Sequence, residues 1–214
     1  MWFWYVLPIL ILCLFIRPWK TELFSSSGEL PYQVAWVPDV LTPEDCLQLI
    51  RDAEPRFQRS TVNSKDAKIT DIRTSQTAWI RASENPVARK LVLKASQMTG
   101  VLDPGKFEDV QVARYLPGQE YRPHYDACVS EKHCPEGAQR LHRRATFLTY
   151  LSDDFEGGET AFPKLDYKVR PVRGSAILFY NTNPGMTEEI SESLHGGLPV
   201  RRGTKYIATV WVNA

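Results

Sequence analysis

The stretch from Tyr121 to Ala127, "YRPHYDA", places two metal-capable side chains, His124 and Asp126, one residue apart. On an extended strand residues i and i+2 project from the same face, so this spacing predicts that both reach one metal ion. The pattern H-x-D taken alone is weak and more often marks a solvated strand face, and a third donor must come from another strand. The histidines are His124, His133, His142 and His195, and His195, in "SLHGGLPV", is placed to supply that donor. Two imidazoles and one carboxylate form a facial set that holds a non-heme ferrous ion and leaves other coordination positions open. Ten residues beyond His195, Lys205 opens the run "KYIATVWV". A compact ammonium there can anchor a distant carboxylate, although a lysine taken alone is more often a solvated surface residue.

Something must hold these side chains together. The chain has 214 residues, 43% hydrophobic and 24% charged, which is ordinary for a globular protein and enough for a core without staples. A net charge of +1 provides no basic field of the kind that attracts nucleic acid. From Phe107 onward, "FEDVQVARYL", "RATFLTYL", "GSAILFYN" and "TKYIATVWV" are β-branched and aromatic runs bounded by glycine and proline turns. That texture predicts many short strands in a sandwich, barrel or jelly roll. Before them come a short strand around "YQVAWV" and two helices. In "LTPEDCLQLIRDAE" Thr42 is the expected N-cap, with Pro43 first and acids in the first turn. In "NPVARKLVLKASQMTG" Asn85 caps, Pro86 opens and Gly100 stops the helix. Both helices are expected on one outer face, with Cys46 a buried thiol.

The N-terminus differs. "MWFWYVLPILILCLFI" is apolar without interruption and is followed by Arg17, Pro18, Trp19 and Lys20. A spanning helix needs about 20 apolar residues, and the flanking tryptophans suit the two interfaces. Residues 1–20 are therefore expected to form a membrane signal-anchor, 21–31 a linker and 32–214 the functional domain. A cleaved signal and a core segment are the rival readings. Arg17 and Lys20 would hold the following side cytoplasmic by the positive-inside rule. Cys128 and Cys134 bracket a polar loop. They suit a local disulfide in an oxidising lumen, free thiols, or zinc shared with His133 and His142, though "CVSEKHC" lacks the C-x2-C spacing. Nothing in the pattern specifies an oligomeric state.

The blocks "VARYLPGQEYRPHYD", "RRATFLTYLSDDFEGGETAFP", "VRGSAILFYN" and "SLHGGLPVRRGTKYIATVWV", with "RTSQTAWI" upstream, stand in one order and spacing. In them the chain from about Pro31 onward resembles the iron(II)- and 2-oxoglutarate-dependent prolyl 4-hydroxylases. The resemblance implies a mainly β fold with flanking helices, a double-stranded β-helix (jelly roll) supported by N-terminal α-helices. It implies a peptidyl-proline 4-dioxygenase acting on proline-rich, polyproline II peptides with O2, releasing succinate and CO2. The implied cofactors are Fe(2+), 2-oxoglutarate and L-ascorbate, and the implied location is the endoplasmic reticulum membrane with the domain luminal, against the local charge signal. Carried over position by position, His124, Asp126 and His195 become catalytic metal ligands. Lys205, Tyr115, Thr160 and Trp211 contact the cosubstrate, and Tyr121 and Arg143 the substrate. The polar loops around 59–76 and 127–142 become mobile flaps. Tyr115, Tyr121 and Trp211 are equally plausible as core aromatics, and Arg143 has Arg144 beside it. The chain departs from the family pattern where "HGGLP" replaces "HAGCP" and in the loop after Cys128. A related dioxygenase acting on lysyl or other residues, or an idle proline-rich-peptide binding module, are the alternatives. An idle module would tolerate loss of a ligand or of Lys205, and all four are present.

Overall fold

Both helices begin where proline costs nothing, because the first turn has no intrahelical partner for the missing N–H. The computed structural model describes residues 34–61, 71–130, 134 and 141–214. The expected signal-anchor and linker lie outside the described residues, as do the middles of both expected flaps. Among the described residues no helix is long and apolar enough to cross a membrane. In chain order the elements are β1 (Ala35–Val37), α1 (Pro43–Ala53), β2 (Gln58–Arg59), β3 (Gln76–Ile80), α2 (Pro86–Thr99), β4 (Val110–Tyr115) and β5 (Tyr121–His124). They continue with β6 (Arg143–Tyr150), β7 (Glu156–Gly157), β8 (Thr160–Phe162), β9 (Tyr167–Val169), β10 (Ala176–Tyr180), β11 (His195–Gly197), β12 (Val200–Arg202) and β13 (Lys205–Asn213).

The cap chemistry is as expected. Thr42 Oγ1 accepts from the Asp45 N–H at 3.1 Å, and Asp45 accepts from the Thr42 N–H at 3.3 Å, a reciprocal capping box. Asn85 Oδ1 accepts from the N–H groups of Val87 and Ala88 at 3.0 and 2.9 Å. Its amide donates to Asp52 at the end of α1, at 2.7 Å, so one side chain caps α2 and ties the helices together. Gly100 ends α2 at φ +71°, a conformation that costs glycine little.

A seven-stranded antiparallel sheet runs β1-β10-β6-β13-β4-β3-β2, and a four-stranded sheet, β5-β11-β8-β9, faces it. The β alternation divides the large sheet cleanly. Val110 and Val112, Ala145 and Phe147, and Ala208, Val210 and Val212 pack with Cys46, Leu49, Leu91 and Ala95 of the helices. Cys46 is a buried free thiol. The opposite face carries Ala113, Tyr115, Leu148, Tyr150, Ile177 and Ile207, which pack with Phe162 and Val169 of the smaller sheet. This is the jelly roll supported by N-terminal helices that the sequence predicts, with the helices confined to one outer face.

Two local expectations change. β5 ends at His124, and Asp126 lies in the bend that follows, so the same-face argument for a strand does not place it. The smaller sheet offers a partner to His124 but none beyond it. The open question at Cys128 and Cys134 resolves as a disulfide. Replacing Asn85 by alanine removes two cap bonds and the tie to Asp52. It should cost about 1–2 kcal/mol, which thermal unfolding would register as a fall in Tm of roughly 2–8 °C. An unchanged Tm would contradict the capping role.

Candidate active site

Backbone pairing brings the two histidines together. β11 sets His195 directly opposite His124, but farther along Gly197 opposes Tyr121. Three steps on β5 therefore run against two on β11, which is a β-bulge. The bulge puts Tyr121 and His124 on one face, their rings 3.5 Å apart and nearly parallel at 14°. Arg122 and Pro123 between them face solvent. Gly196 lies under the bulge, where an added Cβ would come within 2.7 Å of the Tyr121 carbonyl oxygen. The close approach leaves no room for a side chain without moving β5.

His124, Asp126 and His195 present donor atoms within 4.8 Å of one another. Each imidazole is oriented through its other nitrogen. His124 Nδ1 bonds the Arg122 carbonyl and His195 Nδ1 the Ser193 carbonyl, both at 2.9 Å. A carbonyl only accepts, so each Nδ1 carries the proton and each Nε2 offers its lone pair to the cluster. The Nε2 atoms stand 3.4 and 3.6 Å from the Asp126 carboxylate, longer than good hydrogen bonds, as donors around a common point should be. Burial holds the His195 imidazole down to about pKa 4, with Asp126 working in the other direction, so it stays neutral as a ligand must. Burial opposes the Asp126 charge, but the polar and cationic groups around it, Arg143 among them, outweigh it and hold the carboxyl well below the usual range. Behind Asp126 a relay fixes its orientation. Asn181 donates to Thr146 Oγ1 at 2.8 Å, and Thr146 donates to Asp126 Oδ2 at 2.7 Å. Donor set, tautomers and outer bonds all fit a ferrous ion.

These three residues line a cavity together with Lys205, Tyr115, Thr160, Trp211 and Tyr121. Lys205 is 2% exposed. Burial pulls its ammonium down to about pKa 8, against the pull of Glu159, and no carboxylate among the described residues pairs with it. Its Nζ lies 5.3 Å from the Tyr115 ring. Thr160 accepts a bond from the Tyr150 hydroxyl at 2.9 Å, which leaves the Thr160 proton free to donate elsewhere. The cavity therefore has a metal-binding end and a cationic end, the latter fully buried. Burial pushes the Tyr121 hydroxyl up to about pKa 12, so it remains a donor.

Arg143 does not line the cavity. Its guanidinium grips Glu108 with two bonds of 2.7 Å and lies 3.6 Å above the Trp211 ring. The Trp211 N–H is buried with no partner among the described residues. Arg144 instead lies over Tyr180. Sequence reading missed Arg73, which lies inside the expected flap yet is 8% exposed. It lines the cavity, bonds Gln111 at 2.6 Å and Ser75 at 3.2 Å, and lies 4.7 Å above the Tyr121 ring. Its only signal was its place in the "RTSQTAWI" block. Thr146 and Asn181 were missed because neither residue type nor spacing marks a support behind a ligand.

Comparison with known proteins gives the same site a lineage. The 2OG-Fe(II) oxygenase superfamily matches residues 110–213, which hold every cavity residue named above except Arg73. Prolyl 4-hydroxylase 5 of Arabidopsis thaliana is 34% identical over 210 residues, 83% of this chain and 69% of that protein. Human prolyl 4-hydroxylase subunit alpha-1 is 33% identical over 174 residues, 78% of this chain but 32% of that subunit. The chain spans 66% and 70% of the length of two further Arabidopsis relatives. The viral collagen prolyl hydroxylase of Paramecium bursaria Chlorella virus-1, solved as its 2OG complex, superposes with a TM-score of 0.66 at 33% identity, covering 85% of this chain and 96% of that one. The matched region contains the bulged β5–β11 pair and the strand that Lys205 opens, and the chain belongs to the prolyl 4-hydroxylase family of iron(II)- and 2-oxoglutarate-dependent oxygenases.

Proposed function

We propose that this chain hydroxylates prolyl residues at C4 in proline-rich peptides, consuming O2 and 2-oxoglutarate and releasing succinate and CO2. The observation that carries the proposal is one cavity with a His–Asp–His donor set at one end and, at the other, a buried lysine that no carboxylate among the described residues pairs with. Burying an ammonium without a partner is costly, and an idle peptide-binding module has no use for it. Bound iron(II) and 2-oxoglutarate supply oxygen activation coupled to oxidative decarboxylation, the cofactor's share of the chemistry. The protein's share is to bind and position. His124, Asp126 and His195 hold the metal. Lys205, with the Thr160 hydroxyl beside it, receives the distal carboxylate of 2-oxoglutarate, and the Tyr115 ring walls that end. Tyr121, stacked between His124 and Arg73, and the unpaired Trp211 N–H face the peptide, an aromatic setting that suits a polyproline II segment. Arg143 acts on the peptide through its hold on Trp211. We further propose a luminal site reached through a signal-anchor over residues 1–20 in the endoplasmic reticulum membrane. The disulfide Cys128–Cys134 favours an oxidising compartment, although Arg17 and Lys20 oppose that orientation.

Incubation with iron(II), 2-oxoglutarate, ascorbate and a proline-rich peptide should add one oxygen atom to proline, located by fragmentation mass spectrometry. Asp126→Ala should abolish both peptide oxidation and succinate formation in a folded protein. Oxygen found on lysine instead would move the chain to the alternative substrate class.

Thr146→Val keeps the shape but cuts the relay to Asp126. Iron(II) affinity should weaken about 10–100-fold in an equilibrium metal titration, while the circular dichroism spectrum is kept. Equal affinity would remove the relay from the site.

Lys205 binds an anion only while charged, and its lowered pKa means that the charge is lost as pH rises through about 8. The kcat/KM for 2-oxoglutarate should therefore fall above that pH, approaching roughly tenfold per unit. Lys205→Met should raise the KM for 2-oxoglutarate and abolish this alkaline limb. A limb that survives the substitution would belong to another group.

A further inference from the structure

The cavity does not end at its aromatic wall. On the cavity side of the large sheet one row of cross-strand neighbours runs Trp79, Gln111, Thr209 and Leu148. Gln111, Thr209 and Leu148 line the cavity. Trp79, on β3, continues the row outward. Its neighbours Ala78 and Ile80 are buried with the helices, so alternation turns Trp79 to the cavity face. There it is 45% exposed, a large apolar ring open to water where the smaller sheet gives it no cover. It is not isolated from the site. Its ring centroid is 5.9 Å from that of Trp211, at an interplanar angle of 43°, and its cross-strand partner Gln111 is bonded to Arg73. An exposed indole that adjoins two cavity-lining side chains extends the site surface rather than the core.

The strand geometry also sets a register. β3 is separated from β13 by β4 alone, so the two lie about 9.5 Å apart. One turn of a polyproline II helix advances three residues over roughly 9 Å. A peptide crossing the strands would repeat its face over β13 and again over β3.

We propose that Trp79 is a second peptide subsite, an aromatic platform for a proline one polyproline II turn from the proline that is hydroxylated. It rests on the peptide-hydroxylase reading above and adds to it a preference at a defined distance. A pyrrolidine ring presents a flat apolar face to an indole and loses no rotamer freedom on docking. Trp79 lies outside the metal ligands and Lys205, so its substitution should act chiefly on peptide affinity.

The test compares a ten-residue proline-rich peptide with versions carrying alanine three residues before or three residues after the target. For the wild-type chain, alanine at one of these positions should raise the peptide KM roughly three- to tenfold. Trp79→Ala should show the raised KM with every peptide and no longer distinguish the alanine version, whereas Trp79→Phe should keep much of the discrimination. The KM for 2-oxoglutarate and its slow turnover without peptide should not change in either variant. Discrimination that survives in Trp79→Ala would overturn the subsite, as would a wild-type chain indifferent to both alanines. A wild-type chain that turns over 2-oxoglutarate but oxidises no prolyl peptide would take down the hydroxylase reading and the subsite together.

Discussion

The site depends on burying a carboxylate and an ammonium in one box while keeping them unpaired. Asp126 and Lys205 are 6% and 2% exposed and form no ion pair with each other. Left free, opposite charges in a low-dielectric interior attract strongly, and a direct pair would consume both the metal ligand and the anion anchor. The fold prevents this by fixing each from a different element. Lys205 opens β13, where pairing with Tyr115 on β4 fixes its backbone. Asp126 is held by Thr146 on β6 and flanked by the two imidazoles. Each charge therefore keeps capacity for a ligand that the protein itself does not satisfy.

Rigid sheet rows make that separation possible. Lys205, Ile207, Thr209 and Trp211 alternate along one face of β13, so one strand spans the cavity from the anion end to the aromatic end. The other face of the same strand, Ala208, Val210 and Val212, is locked against the helices. A shift of β13 by one residue would bury Tyr206 in the cavity and turn Lys205 toward the helices. The helices contribute nothing to the cavity lining, but their caps and small buried residues hold the register on which the lining depends.

Much of this was readable in the residues. Helix starts and stops follow from local chemistry, at Thr42, Asn85 and Gly100, and local chemistry does not need the fold to act. Strand runs follow from side-chain type. The ligand set followed from scarcity, since few histidines were available and one lay near an aspartate. The spacing of His124 and Asp126 predicts one strand face, yet the strand ends at His124, and the stacking of Tyr121 on His124 arises from a bulge. A bulge is a mismatch between two strands far apart in sequence, so neither strand shows it alone. Arg73 was hidden for a similar reason. Its surroundings are polar and turn-rich, and only pairing with Tyr121 and Gln111 makes it a buried residue. The disulfide stood open because spacing permits a Cys128–Cys134 bridge without requiring it.

Because Asp126 lies off the strand, its precision needs an explanation that the sheet does not provide. A ligand on a bend is held less tightly than one on a ladder unless the bend is clamped. The segment after Asp126 is clamped from three directions. Cys128 is bridged to Cys134, and its backbone exchanges two bonds with Leu141 at 3.0 and 3.1 Å. Glu189, 7% exposed, accepts from the N–H groups of Val129 and Ser130 at 2.6 and 3.0 Å and from the Ser130 hydroxyl. Burial alone would raise the Glu189 pKa, but these donors reverse it, so the carboxylate remains charged and the bonds charge-assisted. Glu189 stands on the segment that leads into β11, six residues before His195. One carboxylate thus ties the chain just after one metal ligand to the segment that leads to another, a second tie beside the direct pairing of His124 with His195.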